Sequence, residues 1–311
     1  MGSTQYLVTG GAGFIGSHLV EALVERGERV RVLDDFSTGR RENLRAVSGE
    51  IEVVKGDVAA PDVASRAVAG CDYVFHLAAI STVQGSLEDP QGTHRVNAGG
   101  TWNVLNAARE AGVQRVVFTS SAAVYGDHTA LPLGEQLAPR PLSPYAADKV
   151  AGEMYCRAFQ ASYGLSTVVL RFFNVYGPRQ DPSSPYSGVI SIFAARMARG
   201  ERPTIFGDGK QTRDFVYVAD VVRSLLLACE HEGASGGVFN VAGCRQTSVL
   251  RLAEELNRAL GTELTPGFGP PREGEVRFSQ GDTSRVRQLL GWEPQVSLRE
   301  GLSALVQAEY S

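Results

Sequence analysis

Residues 5–24 read "QYLVTGGAGFIGSHLVEALV". A β-rich run, glycines at positions 10, 13 and 16, and an amphipathic stretch over 14–26 follow one another without a break. Few folds accept that order. A strand that ends in a glycine turn and feeds straight into a helix is the first half of a βαβ unit. The pattern then repeats. Further β-rich runs lie at 29–34, 51–57, 73–79, 115–121 and 167–173, and helical patterns separate the later ones, notably over 91–111 and 145–163. Such alternation predicts right-handed crossovers and a parallel sheet covered on both faces.

Beyond residue 173 the strands shorten, Pro/Gly/Ser-rich loops such as "DPSSPYSG" and "TPGFGPP" intervene, and helical patterns over 189–199, 248–260 and 283–290 alternate less regularly. The expected architecture is α/β. A doubly wound parallel Rossmann sheet over 1–172 binds the cofactor, and a smaller C-terminal α/β lobe over 173–311 binds the substrate. "FVYVADVV" and "VFNVA" are expected to run back to the first lobe, so segment 214–243 returns there. No internal repeat or low-complexity tract interrupts the chain.

The 311 residues suffice for one large core or for two lobes sharing a cleft. At 43% hydrophobic and 21% charged, the composition is that of an ordinary soluble protein. A net charge of −4 with no basic block argues against a nucleic-acid partner. No apolar run approaches the ~18–20 residues that span a bilayer, and the N-terminus lacks a signal-peptide pattern. Cys71, Cys156, Cys229 and Cys244 are scattered, without a CxxC pair or a His at ligand spacing. They are expected to be reduced thiols of a cytoplasmic protein, and no metal site is expected.

Gly10, Gly13 and Gly16 allow a tight turn and a close backbone approach, after which the free N–H groups of the helix start face a pyrophosphate. The second strand ends in Asp34, about 20 residues further on, as this dinucleotide-binding pattern requires. A carboxylate there accepts the ribose hydroxyls of NAD and repels the 2′-phosphate of NADP. Arg40 and Arg41 follow closely and keep NADP open as an alternative. Asp57, ending the third strand, is placed to accept from the adenine amino group.

The other end of the cleft rests on "SPYAADKVAGE" (143–153). Only three of the chain's 30 basic residues are Lys, at 55, 149 and 210, and one of them stands four residues after Tyr145. Residues at i and i+4 share a helix face. A phenol with its ordinary pKa near ~10 is a poor base at neutral pH, and a neighbouring ammonium is expected to lower it. Ser121, closing "RVVFTSS" at the carboxyl edge of a parallel strand, is placed to hydrogen-bond the same substrate hydroxyl.

With these motifs in order, the chain resembles the extended short-chain dehydrogenase/reductase superfamily and, within it, the nucleotide-sugar 4-epimerases. The resemblance runs from "TGGAGFIGSHLVEAL" through "VFHLAA", "SSAAVYG", "SPYAADK" and "RFFNVYGPRQDP" to "GDGKQTRDFVYVAD" and "PREGEV", nearly the whole length. It implies Ser121, Tyr145 and Lys149 as the catalytic set and NAD as cofactor. Further cofactor contacts are implied at Phe14 and Ile15, at Asp35, Phe36, Ser37, Thr38 and Gly39, and at Val58. Leu77, Ala78, Ala79, Asn97, Thr119 and Phe173 complete that group, with Tyr145 and Lys149 themselves. Asn174, Arg213 and Arg272 look like the contacts to the diphosphate of a UDP-sugar, in keeping with the bidentate grip of guanidinium on phosphate. Thr204 and Phe206 are implied beside the uracil, and Ser81, Val189 and Glu275 complete the substrate set with Ser121.

Related dehydratases carry an Asp–Glu pair after the position of Ser121. Ala122–Ala123 stand there, so dehydration is disfavoured. Ser81 stands where galactose-type epimerases usually carry Lys. Ser279, seven residues after Arg272, reaches the position that looks onto the sugar C2 substituent, where a small side chain leaves room for an N-acetyl group. The implied reaction is 4-epimerisation of UDP-GlcNAc/UDP-GalNAc, of UDP-Glc/UDP-Gal, or of both. The alternatives are UDP-glucuronate 4-epimerisation, another nucleotide-sugar reductase or decarboxylase, and a non-catalytic NAD sensor. Apolar positions on more than one face of 91–111 and 145–163 further predict a homodimer through these helices.

Overall fold

Runs rich in Val, Ile, Leu and aromatic residues pair as parallel strands in the computed structural model of the protein, which describes residues 4–183, 188–271 and 276–311. The first half supplies β1 (Gln5–Thr9), β2 (Arg29–Asp34), β3 (Ile51–Lys55), β4 (Tyr73–His76), β5 (Arg115–Ser121) and β6 (Ser166–Phe172). Between them run α1 (Phe14–Glu25), α2 (Pro61–Val68), α3 (Val83–Glu88), α4 (Pro90–His94), α5 (Gly100–Glu110) and α6 (Pro144–Tyr163). The second half begins with β7 (Asn174–Tyr176), α7 (Val189–Ala198), β8 (Thr204–Phe206), β9 (Thr212–Tyr217), α8 (Val218–Glu230) and β10 (Val238–Val241). It ends with β11 (Gln246–Ser248), α9 (Val249–Leu260), β12 (Gly267–Gly269), α10 (Ser284–Leu290) and α11 (Leu298–Glu309).

Seven strands form one parallel sheet in the order β10-β6-β5-β4-β1-β2-β3. The winding direction reverses between β1 and β4, and a crevice opens there at the carboxyl ends of the strands. Both faces are covered, which is why β1 and β5 read as continuous apolar runs rather than alternating ones. Leu19, Leu23, Val221 and Leu225 bury one face from α1 and α8. Ala64, Val104, Ala108, Cys156 and Phe159 bury the other from α2, α5 and α6.

A separate three-stranded sheet (β11-β9-β7) and the pair β12-β8 make up the second lobe. Ile190, Phe193, Leu252, Leu256, Leu302 and Leu305 form its core.

Two stretches differ from their sequence pattern. "FVYVADVV", expected to run back to the first lobe as a whole, is divided: β9 stops at Tyr217, and α8 starts at Val218. The β-branched residues go helical because Val221 and Leu225 bury on one α8 face, and packing overrides propensity. Asp220, in the first turn of α8, also accepts from the backbone N–H groups of Gln295 (3.0 Å) and Val296 (3.0 Å). The return to the first lobe is made by α8 and β10, while β9 pairs with β7. The stretch 91–111 is likewise not one regular helix. After α4, a π-helical turn over Arg95–Gly99 precedes α5.

Candidate active site

The glycines after β1 are there for space. Gly10 has φ +70°, and a Cβ on it would lie 2.8 Å from the Ala78 nitrogen at the exit of β4. A Cβ on Gly16 would lie 2.1 Å from the Gly10 carbonyl oxygen, so α1 is pressed directly onto the loop. Gly13 begins α1 without a side-chain cap, leaving the first-turn amides available to an anion. A cleft of about 480 Å³ runs from this loop, past Asp34 and Asp57, to Ser121, Tyr145 and Lys149.

Asp34 closes β2 and is buried. Its two oxygens accept from the backbone N–H groups of Phe36 (2.8 Å) and Ala12 (2.9 Å), so the carboxylate is aimed before any ligand arrives. Burial raises its pKa, and these two amides oppose the rise. Asp57 accepts from the Ala59 amide (2.8 Å) and from Arg95 (2.7 Å). Close glycine turns, an uncapped helix start and a fixed carboxylate at the end of β2 together fit a dinucleotide.

At the far end, α6 is stitched to β5. Ser143 caps α6 by accepting from the Ala146 amide (3.2 Å), and Pro144 occupies the first turn. Tyr145 and Lys149 then project from one face, and both are buried. The Ser121 side chain stands beside the Tyr145 phenol, near enough to oppose the rise in its pKa. Lys149 Nζ donates to the Thr119 carbonyl (2.8 Å) and lies 5.9 Å from the centroid of the Tyr145 ring.

The lowered phenol expected from the sequence is not what the polypeptide produces alone. Burial pushes Tyr145 up, and the neighbouring Ser121 side chain is the opposing influence. Lys149 pays its own desolvation cost and is pulled down to about 8, still charged at neutral pH beside the phenol. His76 lies beneath them between Thr9 (2.8 Å) and Thr101 (3.0 Å) and is driven down to about 3 by burial and by Lys149. It is a neutral structural side chain.

Nearly all residues expected at the cofactor line this cleft: the Gly10–Gly16 turn, Asp34, Asp35, Ser37, Thr38, Gly39, Asp57, Val58, Leu77, Ala78, Ala79, Thr119 and Phe173. Ser81 lines it too. Phe36 and Asn97 do not. Phe36, at φ +61°, packs half-buried against the core and carries the Arg41 guanidinium 4.4 Å over its ring. The Asn97 amide is spent on Ile80, accepting from its N–H (2.8 Å) and donating to its carbonyl (3.0 Å). Asn97 therefore shapes the loop after β4 rather than facing the cleft. The sequence reading missed Arg95 and Ile80 in the lining. Arg95 was findable only as a partner of Asp57, across 38 residues.

The residues expected at the sugar nucleotide lie on the second lobe. Asn174 is exposed on β7, opposite Phe215 of β9, and Arg213 of β9 pairs across with Thr247 of β11. Thr204 and Phe206 sit on β8 beside Gly267 and Gly269, and Val189 begins α7. Arg272 and Glu275 lie outside the described residues. Ser279 is buried, 8% exposed. Its neighbours are tied down: Gln280 accepts from the Leu133 amide (2.8 Å), and the Gly281 amide donates to Asp214 (2.9 Å).

A buried polar chain joins the two ends of this region. Ser120 donates to Glu153 (2.5 Å), which holds Arg171 through two bonds (2.9 and 2.6 Å). Arg171 donates to the Tyr125 hydroxyl (3.0 Å), which donates to Asn240 (2.7 Å). Asn240 in turn donates to the carbonyls of Leu133 (2.8 Å) and Asp282 (3.0 Å). Thus the strand end that bears Ser121 and the strip that bears Ser279 share one network.

A Rossmann sheet whose cleft ends in Ser121, Tyr145 and Lys149 defines a dinucleotide-dependent enzyme of the extended short-chain dehydrogenase/reductase class. The chain belongs to the NAD dependent epimerase/dehydratase family, whose model matches residues 6–242. It is 44% identical over 305 residues to a UDP-glucose 4-epimerase of Mycolicibacterium smegmatis, covering 97% of each chain. A UDP-glucose 4-epimerase from Thermotoga maritima, solved with UDP-glucose, superposes with TM-score 0.93 at 41% identity, covering 98% of each chain. A UDP-N-acetylglucosamine 4-epimerase from Methanobrevibacter ruminantium M1, solved with UDP-N-acetylmuramic acid, gives TM-score 0.94 at 36% identity, covering 99% of this chain and 98% of that one. Among the described residues no helix is long and apolar enough to cross a membrane.

Proposed function

We propose that the protein is an NAD-dependent UDP-sugar 4-epimerase with Tyr145 as its base. NAD, when bound, would supply the acceptor and donor of the hydride at C4 of the sugar and a positive ring favouring the phenolate that burial alone disfavours. Tyr145 accepts the proton of the C4 hydroxyl and later gives it back, while Ser121 holds that oxygen in place. Lys149 keeps a positive charge beside the phenol and the cofactor ribose. Asn174, Arg213 and Arg272 grip the diphosphate and Thr204 and Phe206 flank the uracil, with Ser81, Val189 and Glu275 lining the remaining pocket. With the diphosphate held, the 4-keto sugar turns over and presents its opposite face.

The observation that carries this reading is that Ser121, Tyr145 and Lys149 come together, the last two on one α6 face, at the end of a cleft suited to a dinucleotide. Names among the relatives support UDP-sugars as substrates. The small, buried Ser279 supports acceptance of N-acetylhexosamines along with plain hexoses. The protein is also proposed to be a cytoplasmic homodimer. Trp102, Met154 and Tyr163 are exposed on α5 and α6, and four free thiols suit a reducing compartment. A monomer in sedimentation at micromolar concentration would overturn the dimer.

The experiment is a panel of UDP-sugars with product resolution, run on wild type and Ser279→Tyr. Interconversion of UDP-Glc/UDP-Gal and UDP-GlcNAc/UDP-GalNAc without net consumption of NAD is expected of wild type. Ser279→Tyr should abolish the N-acetylated reactions by overlap and spare the others. Equal loss on both classes would remove Ser279 from the pocket, and no conversion of any UDP-sugar would remove the activity.

A further inference from the structure

Two arginines follow the ribose-binding loop, and either could in principle welcome the 2′-phosphate of NADP. The structure gives each another occupation. Arg41 stacks on Phe36. Arg40 reaches away from the first lobe to Asp181, with Nη2–Oδ2 at 2.7 Å. Its backbone nevertheless stays beside the ribose carboxylate. The Arg40 amide bonds the Ala12 carbonyl (3.0 Å), and a Cβ on the preceding Gly39 would lie 2.7 Å from Asp34 Oδ1. A long side chain based there could swing back toward Asp34.

Asp181 is well fixed for a surface residue. The loop before it is fastened to α1 by a hydrogen bond from His18 to the Pro178 carbonyl (3.1 Å). Arg179, in a left-handed turn at φ +68°, binds both oxygens of Glu21 (2.7 Å each). The Arg179 amide donates to Glu309 of α11 (2.7 Å), and Asp181 itself accepts from the Ser183 amide (2.9 Å). The partner of Arg40 thus arrives on an anchored turn, which removes much of the entropic cost that makes ordinary surface ion pairs worth little.

We infer that Asp181 helps set cofactor specificity: by holding Arg40 it withholds a guanidinium from the ribose 2′ position, so that a 2′-phosphate meets Asp34 uncompensated. The inference rests on the dinucleotide reading of the cleft and is independent of which sugar is turned over. Asp34 repels NADP, and Asp181 removes a group that could offset that repulsion. Discrimination is therefore shared between the two lobes.

The test is equilibrium binding of NADH and NADPH, read by nucleotide fluorescence, together with the identity of the nucleotide that copurifies. Asp181→Asn keeps the acceptor for the Ser183 amide and removes the charge, and both side chains are exposed enough that folding is not at stake. Asp181→Asn is expected to raise NADPH affinity relative to NADH by roughly threefold to tenfold, since a freed guanidinium can form a charge-assisted bond to phosphate. The gain should disappear in Arg40→Ala/Asp181→Asn, and Asp181→Glu should keep the wild-type ratio. An unchanged ratio in Asp181→Asn, or a gain that survives without Arg40, would overturn the inference. Wild type binding neither nucleotide would overturn the dinucleotide reading and this inference with it.

Discussion

The cofactor half of the cleft and the region expected to hold the sugar nucleotide are built in opposite ways. The first is assembled from contiguous pieces, each a short loop at the end of one parallel strand: Gly10–Gly16, Asp34–Gly39, Asp57–Val58 and Leu77–Ser81. Its contacts are backbone amides, glycine approaches and one aimed carboxylate. The second draws single residues from β7, β8, β9, α7 and the strip after 276. What ties it together is long-range, as in Gly281–Asp214 across 67 residues. Local motifs therefore suffice for a group that is held rigidly throughout. On the proposed reading, a substrate that turns over would be met by side chains whose relation exists only after folding.

Removing the group where the two halves meet should have the largest effect. Tyr145→Phe is expected to lower turnover by a factor on the order of 10²–10⁴, with UDP binding little changed. Steady-state rates and UDP titration check this. Retention of more than about a tenth of wild-type activity would place the base elsewhere.

A smaller effect, confined to the cofactor half, is expected of Asp34→Ser. NAD affinity should fall by roughly tenfold to a hundredfold, in line with the loss of charged hydrogen bonds, while NADP is much less affected. Nucleotide titration distinguishes the cases, and equal loss of both cofactors would mean that Asp34 does not face the ribose.

The smallest effect concerns Lys149. Its folded pKa, pulled down to about 8 by burial, lies below its ordinary value of 10.5. Between those two values the unfolded chain binds the proton more tightly. The charged side chain therefore costs stability below about pH 8, and the cost fades as pH rises toward 10.5. Lys149→Met carries no such cost. It should melt above wild type by roughly 2–4 °C at neutral pH, and the gap should close with rising pH. A gap independent of pH, in thermal melts from pH 7 to 10.5, would show that the side chain is not desolvated as its surroundings imply.

Legibility followed the same division. The parallel sheet, the glycine turn, Asp34 and the Tyr145–Lys149 spacing were readable because each depends on residues near one another in sequence. The misreading arose where tertiary contacts decided: the Tyr145 phenol, expected to be lowered beside Lys149, is raised because the fold buries it.

By itself, the sequence determined the order of strands and helices, the turn that must be glycine, the carboxylate at the end of β2 and the helix face shared by Tyr145 and Lys149. Periodicity and backbone sterics act over a few residues, and no distant partner is needed to state them. Only the tertiary structure decided that Arg40 faces Asp181 across 141 residues and that Ser279 is buried beside strips tied to Leu133 and Asp214. It alone decided, too, that burial raises the phenol of Tyr145 while it lowers Lys149 to about 8. Desolvation and ion pairing depend on what surrounds a group in space, and that exists only once the chain has closed around it.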